Sequence, residues 1–244
     1  MELGFSHTNW LMDSTHDFIG VAMPIKTKGT SYTGNVNSGW VAGLGITKLS
    51  NSSTDIRNED RSVGGSFSSY DQAVALGLAK TFGNNNFGLG VKYLESYLAG
   101  EKAQGMAFDL GFSHGFNMRL PMSIGLSVQN LGVGLKYMDQ RDPLPLSISA
   151  GFSLSVIPGI NLSVDAKRFV YDKQTNISLG TEYVVLSGVS LRSGYLADTN
   201  MSSVNNKGFS AGVGIKLWNT NLDYAVTLYG ELGNTQRISL KKQF

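Results

Sequence analysis

Three histidines, His7, His16 and His114, are the obvious acid–base or metal-ligating groups in this 244-residue sequence. None has a second ligand type at metal-site spacing, and no Ser/His/Asp arrangement can be assembled around them. With 0 cysteines, thiolate ligands, thiol nucleophiles and disulfides are excluded. Gly43-Leu-Gly45 and Gly212-Val-Gly214 look like pieces of a dinucleotide loop, but neither completes the pattern or opens a helix. Asp55, Glu59 and Asp60, with Arg57 and Arg61, form a run that could hold a divalent cation or meet lipopolysaccharide; a solvated loop is the plainer reading. The expectation is a protein that is not an enzyme, with no catalytic residue, cofactor or resident metal.

What remains is charge at alternate positions. Lys92, Asp109, Asp165, Lys167, Glu182, Arg192, Lys216, Asp223 and Arg237 each lie two residues apart from Gly, Ser, Ala, Asn or another charge, and all but Lys167 adjoin a large apolar residue. Met122-Ser-Ile-Gly-Leu-Ser-Val128 and Leu144-Pro-Leu-Ser-Ile-Ser-Ala-Gly-Phe152 show the same beat. Side chains alternate faces along a strand, so each such segment has one greasy face and one small, polar face. The beat recurs about fourteen times, from near residues 2, 17, 39, 71, 87, 104, 122, 144, 160, 175, 189, 208, 221 and 235. The segments run roughly nine to eleven residues, the length a tilted strand needs to cross a bilayer. Asp71 to Phe82 also fits an amphipathic helix; Gly77 weakens that reading and favours a strand with Ala73, Ala75, Gly77 and Ala79 inward.

Composition agrees. Charged residues are 16%, against roughly 25% in soluble domains, and Gly is 30 of 244. A formal charge of +2 with no basic stripe gives no reason to expect nucleic acid. Mean hydropathy of -0.06 is compatible with a membrane barrel, where only alternate residues meet lipid. Short, turn-rich joints at 83–86, 117–121, 157–159, 186–188 and 218–221 alternate with longer ones at 50–66, 96–104, 130–143, 170–174 and 197–207. That is the pattern of periplasmic turns and outer loops, and it puts both termini on the periplasmic side. The stretch 27–38 is too long for such a turn. Phe82, Phe87, Phe116, Trp218 and Phe244 fall toward the short-turn end. Trp10, Tyr70, Tyr97, Tyr137, Phe169, Tyr171, Tyr195 and Tyr229 fall toward the other, as two interfacial girdles would.

The expected fold is therefore all-β: a transmembrane antiparallel up-and-down barrel of about 14 strands, residues 1–244 forming one outer-membrane domain. Export would require a leader, and Met1-Glu-Leu-Gly-Phe5 begins directly in a strand, so a leader is expected to be missing. The nine charges are expected to line the lumen, as a bracing network or as substrate contacts. Pro24, Gly43 and Gly45 are candidates for a kink that opens the wall sideways, or for a strand-end proline and a bulge.

Several segments carry a family resemblance. They are Asp71 to Phe82 followed by Phe87-Gly-Leu-Gly-Val-Lys-Tyr93; Ser127-Val-Gln-Asn-Leu-Gly132; Asp142-Pro-Leu-Pro-Leu146 leading into Ser149-Ala-Gly-Phe152; Leu179-Gly-Thr-Glu-Tyr183; Leu191-Arg-Ser-Gly-Tyr195; Gly208 to Ile215; Leu222-Asp-Tyr-Ala225; and Ile238-Ser-Leu240. In this order they resemble the PorV/PorQ family of bacterial outer-membrane proteins, relatives of FadL-type long-chain fatty-acid transporters. The resemblance implies fourteen strands and an outer-membrane location. It implies passing or holding hydrophobic molecules, or a part in type IX secretion through protein partners at the outer loops. Membrane lipid is the expected surrounding partner in both cases. The family's N-terminal Asn-Pro-Ala plug has no counterpart in this sequence, and Lys242 interrupts the terminal strand's parity. A soluble β-protein or designed barrel is the third reading.

Overall fold

The computed structural model describes the chain except residues 26–37, 58, 61, 138–139, 199–207 and 231–232, and except the side chains of 38, 52–56, 140 and 198. The chain forms β1 (Glu2–Asn9), β2 (Thr15–Ile25), β3 (Ser38–Arg57), β4 (Val63–Phe82), β5 (Asn85–Leu98), β6 (Glu101–Phe116) and β7 (Met122–Gly132). A short pair follows, β8 (Leu135–Tyr137) and β9 (Gln140–Asp142). Then come β10 (Ser147–Ile157), β11 (Ile160–Phe169), β12 (Gln174–Leu186), β13 (Val189–Asp198), β14 (Gly208–Leu217), β15 (Thr220–Leu228) and β16 (Asn234–Gln243). All but β8 and β9 join one closed antiparallel barrel of 14 strands, each beside its neighbour in sequence. Closure runs between β1 and β16, in register from Glu2 opposite Gln243 to Asn9 opposite Gln236.

The two faces separate by parity. Leu78, Leu89, Leu110 and Val128 stand side by side across β4 to β7. Leu89 is 60% exposed, as expected for a side chain meant for lipid rather than water. The other parity gives the row Ala79, Gly88, Gly111, Ser127, Ser149 and Lys167. That face is the inner one. Its residues His16, Leu49, Ala73 and Leu94 share one cavity with Leu135, Leu144 and Pro145 from the connection between β7 and β10.

Strand starts lie within a few residues of those expected except at β4, which starts at Val63. Residues 71–82 belong to β4 and are strand, with Ala73, Ala75, Gly77 and Ala79 on the inner parity. One correction concerns the joints at 50–66 and 96–104. Most of both is strand: β3 and β4 each run 20 residues, and β5 and β6 meet across Ala99-Gly100, both at positive φ. Beyond the hydrocarbon both strand faces can be wet, so pairing persists where alternation fades. The stretch 27–38 and most of 197–207 lie outside the described residues. Among the described residues no helix is long and apolar enough to cross a membrane.

The face assignment makes an asymmetric prediction. Leu89→Arg, facing lipid near mid-height, is expected to cost about 2–4 kcal/mol in folding into vesicles. Ser178→Arg, on the inner parity opposite Asp165, should cost no more than about 1 kcal/mol. Denaturant titrations in lipid vesicles read both, and equal costs would contradict the assignment.

Candidate binding site in the barrel lumen

The nine alternating charges all fall on the inner parity, distributed over β5, β6 and β11 to β16. Two groups of them meet. On β12, β13 and β15, Arg192 donates from Nε to Glu182 at 2.7 Å and from Nη1 to Asp223. Asn161 donates to Glu182 at 3.1 Å and takes a bond from Ser155 at 2.6 Å, so the network spans β10 to β15. On β5 and β6, Lys92 pairs with Asp109 at 2.8 Å and donates to Asn130 at 2.6 Å. Asn130 sits at a bulge with φ 62, and its backbone N–H donates to Asp109 at 2.9 Å. The remaining charges stand apart. Lys167 donates to Gln129 at 3.3 Å and lies 5.1 Å from the Phe169 ring. Arg237 donates to Thr8 at 3.0 Å. Asp165 lies against Gly151, where a Cβ would collide with its carboxylate, and Lys216 is opposite Asn221.

A different surface covers the inner wall of β2 to β5. Phe18 points inward and lies on a glycine bed: a Cβ would come within 2.6 Å of its ring at Gly20 and 3.1 Å at Gly45. Toward the terminus end a hollow of about 400 Å³ continues over Gly4, Gly43, Ala75 and Gly77. Toward the long-loop end lies the cavity of about 420 Å³ noted above, with Leu49, Leu94, Leu135 and Leu144 on its walls. Leu135, Leu144 and Pro145 form its far side. β8 lies against β6, with Leu135 Cδ2 only 3.0 Å from where a Gly105 side chain would begin. Leu144, Ala103 and Ala107 are buried there, the only buried apolar side chains among the described residues. Asp71 also lines the cavity and accepts a hydrogen bond from Ser96. His16 lines it too, with its Nδ1 buried and unpartnered among the described residues.

Sequence reasoning missed these apolar residues. The available signal was a break in parity: Leu49 follows Lys48, and Leu94 falls between Lys92 and Ser96 on the polar face. Pro24, Gly43 and Gly45 sit in an uninterrupted ladder, opposite Val41, Ala22 and Gly20. Of the acidic run, Arg61 and the side chain of Asp55 lie outside the described residues; Asp60 accepts from the Ser62 backbone at 3.0 Å.

A closed fourteen-strand wall with a greasy exterior is a transmembrane β-barrel. Solved structures agree at the level of fold. The chain is similar to the Pseudomonas putida toluene transporter TodX, with 11% identity and a TM-score of 0.63 over 98% of this chain and 86% of that one. A TodX deltaS2S3 mutant, a monoaromatic hydrocarbon channel, gives 10% identity and 0.66 over 100% and 89%. KdgM porin lies further off, at 8% identity and 0.47 over 100% and 99%. No family model matches the chain, and no curated protein matches it.

Removing Arg192 would leave the Glu182 and Asp223 carboxylates facing one another. Arg192 is 46% exposed, so solvent screens much of its pairing. Arg192→Gln is expected to cost about 1 kcal/mol of barrel stability. The loss should shrink at about 1 M salt. Unfolding midpoints in vesicles at low and high salt check this.

Proposed function

We propose that this chain is a bacterial outer-membrane barrel of FadL-like, PorV/PorQ type that passes or holds hydrophobic molecules without chemically altering them. Residues 1–244 act as one barrel domain, with both termini in the periplasm and the 133–146 connection at the outer mouth. The observation that carries this is the cavity of about 420 Å³ walled by Leu49, Leu94, Leu135 and Leu144. A water-filled pore has no use for inward leucines, whereas a binding pocket is mostly apolar with a few polar groups. The TodX structures, described as a toluene transporter and a monoaromatic hydrocarbon channel, support the reading through fold alone. In this proposal the Glu182–Arg192–Asp223 and Lys92–Asp109 groups line and brace the lumen. Release follows the inner wall past Phe18. A sideways exit near Pro24, Gly43 and Gly45 is the alternative route.

The tall β3–β6 wall favours a second reading, in which the long-loop end docks secretion-system proteins. Affinity purification from native membranes separates the two: translocon or cargo proteins favour docking, and lipid alone favours passage.

For the main proposal, Leu94→Glu puts an uncompensated charge in the apolar cavity. It is expected to lower binding of a neutral hydrocarbon probe such as naphthalene at least tenfold, roughly the 1.4 kcal/mol of one decade. Equilibrium binding to the detergent-solubilised barrel, corrected for probe taken up by empty micelles, reads this. Undiminished binding by a folded variant removes the cavity from the proposal.

A further inference from the structure

The charges around this cavity go further than its greasiness and say which hydrophobic molecules it takes. We infer that the cavity admits uncharged hydrophobic molecules and rejects organic anions of the same shape, carboxylates included. The inference rests on the binding role proposed above and specifies its ligand.

Asp71 is the carboxylate whose side chain is on the inner parity at this level, opposite Leu49 and Ser96. Its side-chain partner is the neutral Ser96 hydroxyl, and among the described residues no cation pairs with it. Among the described residues neither lysine nor arginine lines the cavity. Lys92, the inward cation of β5, is already held by Asp109 at 2.8 Å and by Asn130 at 2.6 Å. In the row of Asp71, Arg237 lies on the far side of Thr8, His16 and Leu49, bonded to Thr8. Lys48 is on the outer parity, 5.2 Å from the Tyr70 ring. Lys102 pairs outside the wall with Glu95 at 3.1 Å, where Tyr70 also donates at 3.0 Å.

A carboxylate entering this space therefore loses water, gains no ion pair and meets the Asp71 charge. Like charges a few ångströms apart in a poorly hydrated site repel enough to change affinity on the order of tenfold or more. A neutral ligand of equal size loses little by comparison. Net charge reinforces the effect: Asp71, Lys92 and Asp109 together sum to one negative charge.

The test uses two probes of nearly one shape, 2-naphthamide and 2-naphthoate, bound to the full chain in detergent at pH 8 with empty-micelle uptake subtracted. The amide is expected to bind the wild-type barrel at least tenfold more tightly. Asp71→Asn keeps an oxygen for the Ser96 hydroxyl and removes the charge. It should raise naphthoate binding several-fold and leave naphthamide within about twofold. Equal wild-type affinities overturn the charge selectivity alone, as does an unchanged ratio in a folded Asp71→Asn barrel. Failure of both probes to bind overturns the binding role beneath it as well. The wild-type ratio decides the matter even if the variant does not fold.

Discussion

A chain crossing hydrocarbon has no water to satisfy its amides, so its strands must pair all the way round. That requirement governs this molecule, and the seam between β1 and β16 meets it: Met1 and Phe244 both contribute, the Phe244 N–H donating to the Met1 carbonyl at 2.9 Å. Once the wall is closed, parity has only two destinations. A one-residue slip at any seam would turn the lysines and aspartates outward and the leucines into the bore. The greasy beat therefore holds register as well as solvating the exterior. Fourteen strands also set the bore wider than an eight-strand barrel, whose interior side chains can fill.

Above the hydrocarbon the constraint relaxes, and the chain uses the freedom unevenly. β3 to β6 continue as a tall paired wall, while the connection after β7 turns inward. The bulge at Asn130 starts that turn. Its backbone and side chain are captured by Asp109, Lys92 and the Pro145 carbonyl, the last at 3.1 Å. One asparagine thus ties β5, β6 and the inward connection together. The small residues Ala103, Gly105 and Ala107 on β6 leave room for Leu135 and Leu144 to pack on the wall.

Much of this architecture was legible in the sequence because the bilayer imposes it residue by residue. Strand positions, and the sharing of one strand parity by Lys92, Asp165, Arg192 and the other charges with the glycines and serines, follow from alternation alone. The ends of β3 to β6 were not legible. Runs such as Asn51-Ser-Ser-Thr54 carry no alternating pattern, and pairing there depends on neighbours rather than on composition. The apolar cavity was hidden for another reason. Leu135 and Leu144 belong to a connection whose inward fold depends on the Asn130 bulge, and Leu49 and Leu94 are inward leucines among many outward ones. Phe18 left a fainter trace, an aromatic two residues before Gly20, whose partner across the ladder is Gly45.

The lumen has two unlike halves, and in the proposed role that division lets one tube be both firm and permissive. Around β10 to β16 the inner face is serine, asparagine and charge, tied across strands by Arg192, Glu182, Asp223 and Asn161. Such links brace the wall at modest energetic gain, since half-exposed ion pairs contribute little individually. Around β2 to β5 the inner face is mostly glycine, alanine, Phe18 and leucine, with His16, Asp71, Lys92 and Ser96 as its main polar groups. A hydrophobic molecule moving along the second half exchanges one apolar contact for another and displaces weakly held water. Along the first half it would have to break hydrogen bonds that hold the barrel together. In the proposed role most of the bracing stands opposite the smoother wall, while the Lys92–Asp109–Asn130 group ties that wall's edge at β5 to its neighbours β6 and β7.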